Sequence, residues 1–230
     1  MVRFAGVSAV AVLAGTLLGG PAWAGVETYL YAVEHPTYGN IGTYTNTVLR
    51  SGDNVQVKTQ LHIAVKVLGV RLFHQDADRT EEWKDGRLVA FHSDTDDNGK
   101  KIDVSGTARG GNFVILSPRG TITAPPQVHP SNPWAPQVLD TDMMMSSKTG
   151  QVLPVSVTDT GLTAVDFDGK KMQLHQFFVD SDKHQVVWVD DNGVVQAFQT
   201  EERGTRINFV LMRRTAESQQ AQQTQQQAHQ

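Results

Sequence analysis

Apolar and polar residues alternate along much of this chain. The longest such run lies between Val55 and Val67, where the odd positions are apolar residues and one threonine, and most of the even positions are polar. A period of two indicates a β-strand with one buried face and one wet face. Because the run is long for one strand, it predicts a curved sheet, or a strand bent near Ala64.

Short turn signals separate this run from further β-favouring segments. Asn-Gly and Asp-Gly pairs supply the positive φ angles that tight hairpins need. The signals are Ser51-Gly52-Asp53, Asp85-Gly86, Asn98-Gly99, Gly110-Gly111, Asp168-Gly169 and Asn192-Gly193. The segments expected as strands are Thr28–Glu34, Arg87–Phe91, Phe113–Leu116, Val152–Val157, Met172–Val179, His184–Val189, Val194–Phe198 and Ile207–Met212. Together they predict a mainly all-β fold, a curled antiparallel meander or partial barrel of about a dozen strands.

One segment interrupts the alternation. Between Ala124 and Gly150 the chain contains five prolines, which exclude central strands, and then the apolar groups Val138-Leu139 and Met143 to Met145. We expect an irregular crossing followed by a short helix packed on the sheet, over one opening or over the concave face.

The first 24 residues predict an export signal. Arg3 precedes an apolar run that ends near Leu18, and Ala22 and Ala24 fit the small pockets of a signal peptidase. We therefore expect cleavage between Ala24 and Gly25 and a mature protein that is periplasmic or secreted. A permanent membrane anchor is the weaker reading, because Gly15, Gly19 and Pro21 break the run, which is short for a bilayer span.

Composition predicts how the rest of the chain is organised. The chain has no cysteine, so its fold must depend on a hydrophobic core, and the length of the mature chain allows one β-rich domain over residues 25–215. Residues 216–230 are rich in Gln and lack apolar periodicity, which predicts a disordered tail. With 20 basic residues, scattered along the chain, against 24 acidic ones, nucleic acid is not an expected partner. No transmembrane segment is expected after signal cleavage.

Two sets of residues are candidate metal ligands. Asp94, Asp96 and Asn98 alternate before Gly99, as at the start of a calcium loop, but Ser105 stands where such a loop needs its bidentate Glu. A plain acidic hairpin turn is therefore the favoured reading. His62, His74 and His92 fall on successive expected strands and are weak candidates for zinc or copper. Neither set is strong enough for us to expect a metal or another cofactor.

Enzymatic chemistry finds little support in the sequence. There is no cysteine nucleophile and no Gly-x-Ser-x-Gly elbow, so we assign no catalytic residue. Glu81 and Glu82 are adjacent, and neighbours on a strand point to opposite faces, so they do not form a cooperating dyad. Whether the protein is an enzyme stays open, with a non-enzymatic role favoured.

Large apolar side chains offer a candidate ligand site. Aromatic rings and flexible thioethers suit an adaptable apolar pocket, although they also suit an ordinary core. The candidates for contact with a hydrophobic ligand are Trp83, Phe91, Trp134, Met143, Met144 and Trp188.

Several short motifs together resemble one protein family. They are the Glu81–Leu88 hairpin, the Ser93–Gly99 turn, His129–Trp134, Thr149-Gly150 and Trp188–Asp190. They are similar to an uncharacterised exported bacterial family, domain of unknown function 6134, over nearly all of the mature chain up to about Arg213. The resemblance implies no established activity.

The expected shape also resembles periplasmic carriers of lipids and lipoproteins, a similarity of fold that does not establish function. We therefore expect a non-enzymatic domain that binds or carries a hydrophobic, lipid-like small molecule in a dry internal cavity with few buried charges. One alternative is an envelope protein-interaction module without a cavity. Another is a metal-dependent hydrolase, which would need two histidines and a carboxylate in one cleft.

Overall fold

Strands form nearly all of the regular structure. The structure is a computed structural model that describes residues 25–167, 169–181, 184–202 and 204–218. In these ranges the strands are β1 (Gly25–His35), β2 (Gly39–Ser51), β3 (Asn54–Val67), β4 (Val70–Lys84), β5 (Arg87–Asp97), β6 (Lys100–Arg109), β7 (Asn112–Ser117), β8 (Gly120–Ala124), β9 (His129–Pro130), β10 (Met143–Met145), β11 (Val152–Pro154), β12 (Ser156–Phe167), β13 (Lys170–Asp180), β14 (Gln185–Val189), β15 (Val195–Glu202) and β16 (Thr205–Ser218).

Thirteen of the described strands form one antiparallel sheet. Their order is β12-β13-β14-β15-β16-β1-β2-β3-β4-β5-β6-β7-β8. Each pair of neighbours is consecutive in sequence except β16 and β1, which join the two halves of the chain. The sheet does not close into a barrel, because β12 and β8 lie at its two ends. The predicted curled meander is confirmed.

The sheet curls strongly around its inner face. Tyr44 on β2 and Phe198 on β15 are three strands apart in the order, which is about 14 Å in a flat sheet. Their ring centroids nevertheless lie 5.4 Å apart. The Tyr31 hydroxyl on β1 also donates to the carbonyl of Val195 at 3.0 Å. Curvature therefore brings the inner faces of distant strands together.

The concave face holds the hydrophobic core. Odd residues of β3 and β4, such as Val57, Leu61 and Trp83, point inward, and their neighbours point to solvent. The segment between β8 and β12 lies over this face and contributes Val128, Val138 and other buried residues to the same core. Its strands β9, β10 and β11 form a small second sheet. We call residues 125–155 the crossing segment.

The expected short helix is only one turn. Pro136–Leu139 forms a 3-10 turn whose proline lies in the first turn, where its missing N–H is not needed. Met143 to Met145, which we expected to be helical, form β10 instead. A segment of three residues forms more backbone hydrogen bonds by pairing with neighbouring strands than by forming one helical turn. Met144 pairs with both Leu153 and His129.

Two strand boundaries differ from the sequence expectations. Val152–Val157 was expected as one strand, but the chain leaves the small sheet after Pro154, which has no N–H to donate, and enters β12 at Ser156. At the other end, β16 continues to Ser218 and pairs with Gly25. Residues 216–218, which we assigned to the tail, are therefore part of the sheet. The predicted signal sequence 1–24 and the rest of the tail lie outside the described residues.

Candidate binding site

A groove runs under the crossing segment. Its inner part has a volume of about 280 Å³. The sheet contributes one wall, and Met144, Ser147, Thr149 and Leu153 of the crossing segment contribute the opposite wall. The apolar residues of the sheet wall are Tyr44, Leu61, Ile63, Val179, Phe198, Ile207 and Phe209.

A second cavity of about 310 Å³ continues the groove towards the surface. Ile63, Gln75, Lys148, Glu202 and Ile207 line both cavities, so the two adjoin. We call the second cavity the mouth. Its outer wall includes the exposed side chains of Tyr38 and Leu72, together with Val65 and Phe73. The groove therefore opens at the end of the sheet where β1 turns into β2 and β3 turns into β4.

The wall of the inner groove also carries charge. Arg79 on β4 points to the concave face, where it pairs in register with Thr59 and Ser93. Its Nε is buried and has no acceptor among the described residues. Lys148 and Glu202 lie further out, and Lys148 Nζ is 2.8 Å from an oxygen of Asp97. The sequence led us to expect a dry internal cavity with few buried charges, and the groove has Arg79, Lys148 and Glu202 on its wall.

Beside the groove, Asn132 fixes the crossing segment to three strands. Its side-chain oxygen accepts from the Tyr44 hydroxyl at 2.6 Å and from Asn46 at 3.3 Å. Its Nδ2 donates to Thr59 at 3.0 Å and to Glu81 at 2.8 Å. All five side chains are buried. Buried amides and hydroxyls are stable only when they have partners, so this network holds the crossing segment in one place.

Glu81 is the acidic member of this network and is fully buried. Its Oε2 accepts from the indole N–H groups of Trp83 and Trp134, each at 3.0 Å. Burial raises the pKa of Glu81 to about 7, while the donors from Asn132, Trp83 and Trp134 and the charge of Arg79 act in the opposite direction. The carboxyl therefore titrates near neutral pH.

The six aromatic and thioether candidates separate into different environments. Met144 alone among them lines the inner groove. Trp83 and Trp134 donate hydrogen bonds to Glu81 and contact each other edge to face, with ring centroids 5.9 Å apart. Phe91 lies in the core and Met143 packs against it. Trp188 lies on the other face of the sheet, where it donates to Gln176 at 2.8 Å.

Asp94, Asp96 and Asn98 lie on and beside a tight turn. Asn98 and Gly99 both have positive φ, and Asp96 accepts from the Gly99 N–H at 2.6 Å and from Lys101 at 2.8 Å. Asn98 accepts from the backbone N–H of His74 at 2.8 Å. These contacts are those of the acidic hairpin turn that the sequence favoured, with the oxygens engaged by the protein itself.

The three candidate histidines each contact a different carboxylate. His62 lies beside Asp76, His74 Nε2 is 3.5 Å from Asp96, and His92 Nε2 is 3.0 Å from Asp94. Asp103 Oδ2 also lies 3.8 Å from His92 Nε2, and the three residues of this cluster are exposed. The hydrolase hypothesis needs two histidines in one cleft, and among the described residues this cluster contains only one.

Sequence reasoning did not single out Arg79 or Asn132, and it weighed Glu81 only as a partner of Glu82. A signal existed for two of them, because Arg79 and Glu81 occupy odd positions of β4, in phase with the buried Ala77 and Trp83. Charged residues on the buried face of a strand usually have a structural or functional reason to be there. Asn132 lies in the proline-rich segment, where periodicity gives no information.

The fold and the groove define a class of protein. Its members have a single curled antiparallel sheet whose concave face is covered by an irregular segment. The family comparison agrees with the motifs quoted above. The model of the family "Domain of unknown function (DUF6134)" matches residues 38–212, and the chain belongs to that family. No curated protein matches the sequence.

A solved structure shares the fold. It is described as a crystal structure of a beta-barrel-like protein of domain of unknown function DUF1849 from Brucella abortus. The match has a TM-score of 0.62 and 11% sequence identity, and it covers 86% of this chain and 99% of the other. At this identity the similarity shows the fold alone. No helix in the described ranges has the length and apolarity needed to span a membrane.

Proposed function

We propose that this protein is an exported, non-enzymatic carrier that binds a small molecule with an apolar chain and an anionic head group in the groove. The observation that carries the proposal is the groove itself, which is lined by apolar and polar side chains and has Arg79 on its wall. The inner volume of about 280 Å³ lies near the lower end of small-molecule sites, which are about 300–1,000 Å³.

The charge on Arg79 supports the choice of head group. The guanidinium of a groove-lining arginine is a fixed positive charge that forms charge-assisted hydrogen bonds with carboxylate or phosphate oxygens. The aliphatic and aromatic side chains of the sheet wall, among them Leu61 and Phe198, offer apolar surface to an acyl chain. A module that only binds other proteins needs no such channel, so the groove favours the carrier over that alternative.

Calorimetric titration with decanoate and with 1-decanol tests this proposal. The two ligands share the apolar chain and differ in the charge of the head group. We expect Arg79→Gln to weaken decanoate binding about tenfold or more, because a charge-assisted hydrogen bond is lost, and to change 1-decanol binding about twofold or less. Arg206→Gln, which removes an exposed arginine on β16, is the matched control.

Leu153→Trp, on the crossing-segment wall, fills the groove and should abolish binding of both ligands. Circular dichroism melting confirms that each variant is folded. If neither ligand binds the native protein, or if Arg79→Gln and Arg206→Gln bind decanoate equally well, the proposal is wrong.

A further inference from the structure

The β3–β4 hairpin carries an exposed apolar tip. Leu68 is 99% exposed, and Val70 and Leu72 are 62% and 56% exposed. Val67, on the other side of the turn, is also exposed. Large apolar side chains grouped at a protruding turn differ from the single exposed apolar residues of an ordinary surface and indicate an interaction site.

The turn itself is built from an unfavourable residue. Leu68 and Gly69 both have positive φ, at 50° and 81°. The turns at Asp85-Gly86 and Asn98-Gly99 also have two positive φ angles in a row, and they place Asp and Asn where this turn has Leu. Asn and Asp tolerate the left-handed region and Leu does not, so Leu68 costs local stability. That cost points to a role for its side chain outside the fold.

Charge next to the tip indicates the partner. Lys66 and Arg71 are both exposed and lie directly opposite each other across the hairpin. Like charges in that position repel each other and destabilise the hairpin. The chain as a whole is acidic, with a net charge of −4, so this pair of cations is a local exception. Asp96 and Asp97, at the end of the neighbouring strand β5, are engaged by Lys101 and Lys148. Two cations behind an apolar tip are complementary to an anionic lipid surface.

The tip is continuous with the groove. Val65, Leu72 and Phe73 of the same hairpin line the mouth, opposite the exposed Tyr38 of the β1–β2 turn. A surface that receives the tip therefore lies directly at the opening of the groove.

We propose that the tip, Val67 to Leu72, inserts into the interface of an anionic lipid bilayer and so places the groove mouth at the membrane surface. The membrane contact stands on the tip alone, and its use for loading or unloading a ligand rests on the proposed function. Lys66 and Arg71 contact the head groups while Leu68 and Val70 enter the acyl boundary.

Co-sedimentation with vesicles tests the membrane contact. One set of vesicles contains equal parts of phosphatidylcholine and phosphatidylglycerol, and the other contains phosphatidylcholine alone. We expect the protein to bind the anionic set more tightly, and Leu68→Asn to reduce that binding about tenfold or more, since one buried leucine is lost. Replacing both Lys66 and Arg71 by Gln should cost about fivefold per charge on anionic vesicles only.

Leu68→Asn separates binding from folding, because Asn is the better residue for this turn and the variant should melt at the same temperature as the native protein or higher. Leu162→Asn, at another leucine that is 60% exposed, is the matched control and should bind vesicles normally. The proposal fails if the native protein does not sediment with anionic vesicles, or if Leu68→Asn sediments as well as Leu162→Asn. Vesicle binding that persists when decanoate does not bind would refute the groove function and leave the membrane contact intact.

Discussion

Glu81 is a single residue that connects the sheet to the crossing segment. The side chain is fully buried, and three neutral N–H groups from Asn132, Trp83 and Trp134 surround its oxygens. Burial disfavours the charged form and the donors favour it, and the balance leaves the pKa at about 7. A carboxyl with a raised pKa makes stability depend on pH.

The sign of this dependence is fixed by proton binding. Between the ordinary value of 4.5 and about 7, the native state holds a proton on Glu81 that the unfolded chain has released. Stability from this group is therefore complete below pH 4.5 and is lost as the pH rises through about 7. Glu81→Gln cannot titrate at this position and serves as the reference. We expect the free energy of unfolding of the native protein, relative to Glu81→Gln, to fall by about 3 kcal/mol from below pH 4.5 to above about pH 7.

Urea unfolding of both proteins across this pH range measures the difference. Glu82→Gln is the control, because it removes a carboxyl from the exposed neighbour on the outer face of β4, outside the buried network. Parallel stability curves for the native protein and Glu81→Gln would show that Glu81 has an ordinary pKa.

The crossing segment is the element that turns the curled sheet into a groove. Asn132 and Trp134 tie one end of it to β2, β3 and β4. At its other end Gly150 approaches β6 and β7 so closely that a Cβ there would lie 3.1 Å from side-chain atoms of Val104, Ile115 and Ser117. The segment therefore spans the concave face between two anchors.

Removing the first anchor should loosen this element before the sheet unfolds. Asn132→Ala leaves Tyr44, Thr59 and Glu81 each without one partner, so we expect a loss of about 2 to 3 kcal/mol of stability. Amide exchange of β9 and β10 should accelerate more than that of β1 and β16, because the crossing segment opens locally. Asn112→Ala, on the exposed start of β7, is the control. Equal acceleration in all four strands would contradict a local anchor.

Strands and turns were predictable from the sequence where residues close together in the chain determine them. The alternation from Val55 to Val67 and the Asn98-Gly99 pair identify β3 and the β5–β6 turn correctly. The Leu68-Gly69 turn was missed because Leu is not a turn residue, and its exposure is itself the informative feature. Met143 to Met145 were misassigned because their partners, Leu153 and His129, are distant in sequence, and periodicity does not report such pairing.

At the scale of the whole molecule, curvature decides whether a binding site exists. The number of strands indicated a curled sheet, but neither periodicity nor motifs indicate which distant side chains meet inside it. Phe198 stacks on Phe209 at 4.3 Å and contacts Tyr31 and Tyr44 edge to face. Three of these rings also line the groove, so the contacts that close the curl shape the ligand site as well.

Phe198→Ala tests this dependence. Truncating a buried phenylalanine costs about 3–5 kcal/mol, because packing is lost and a cavity remains. We expect the urea midpoint to fall accordingly, and β2 and β15 to lose amide protection together, since the ring is what connects them across the curl. Phe178→Ala removes a ring that is 44% exposed and should cost about 1 kcal/mol or less. If the two variants lose similar stability, the inner ring cluster does not close the sheet, and hydrogen bonding along the strands alone must set its curvature.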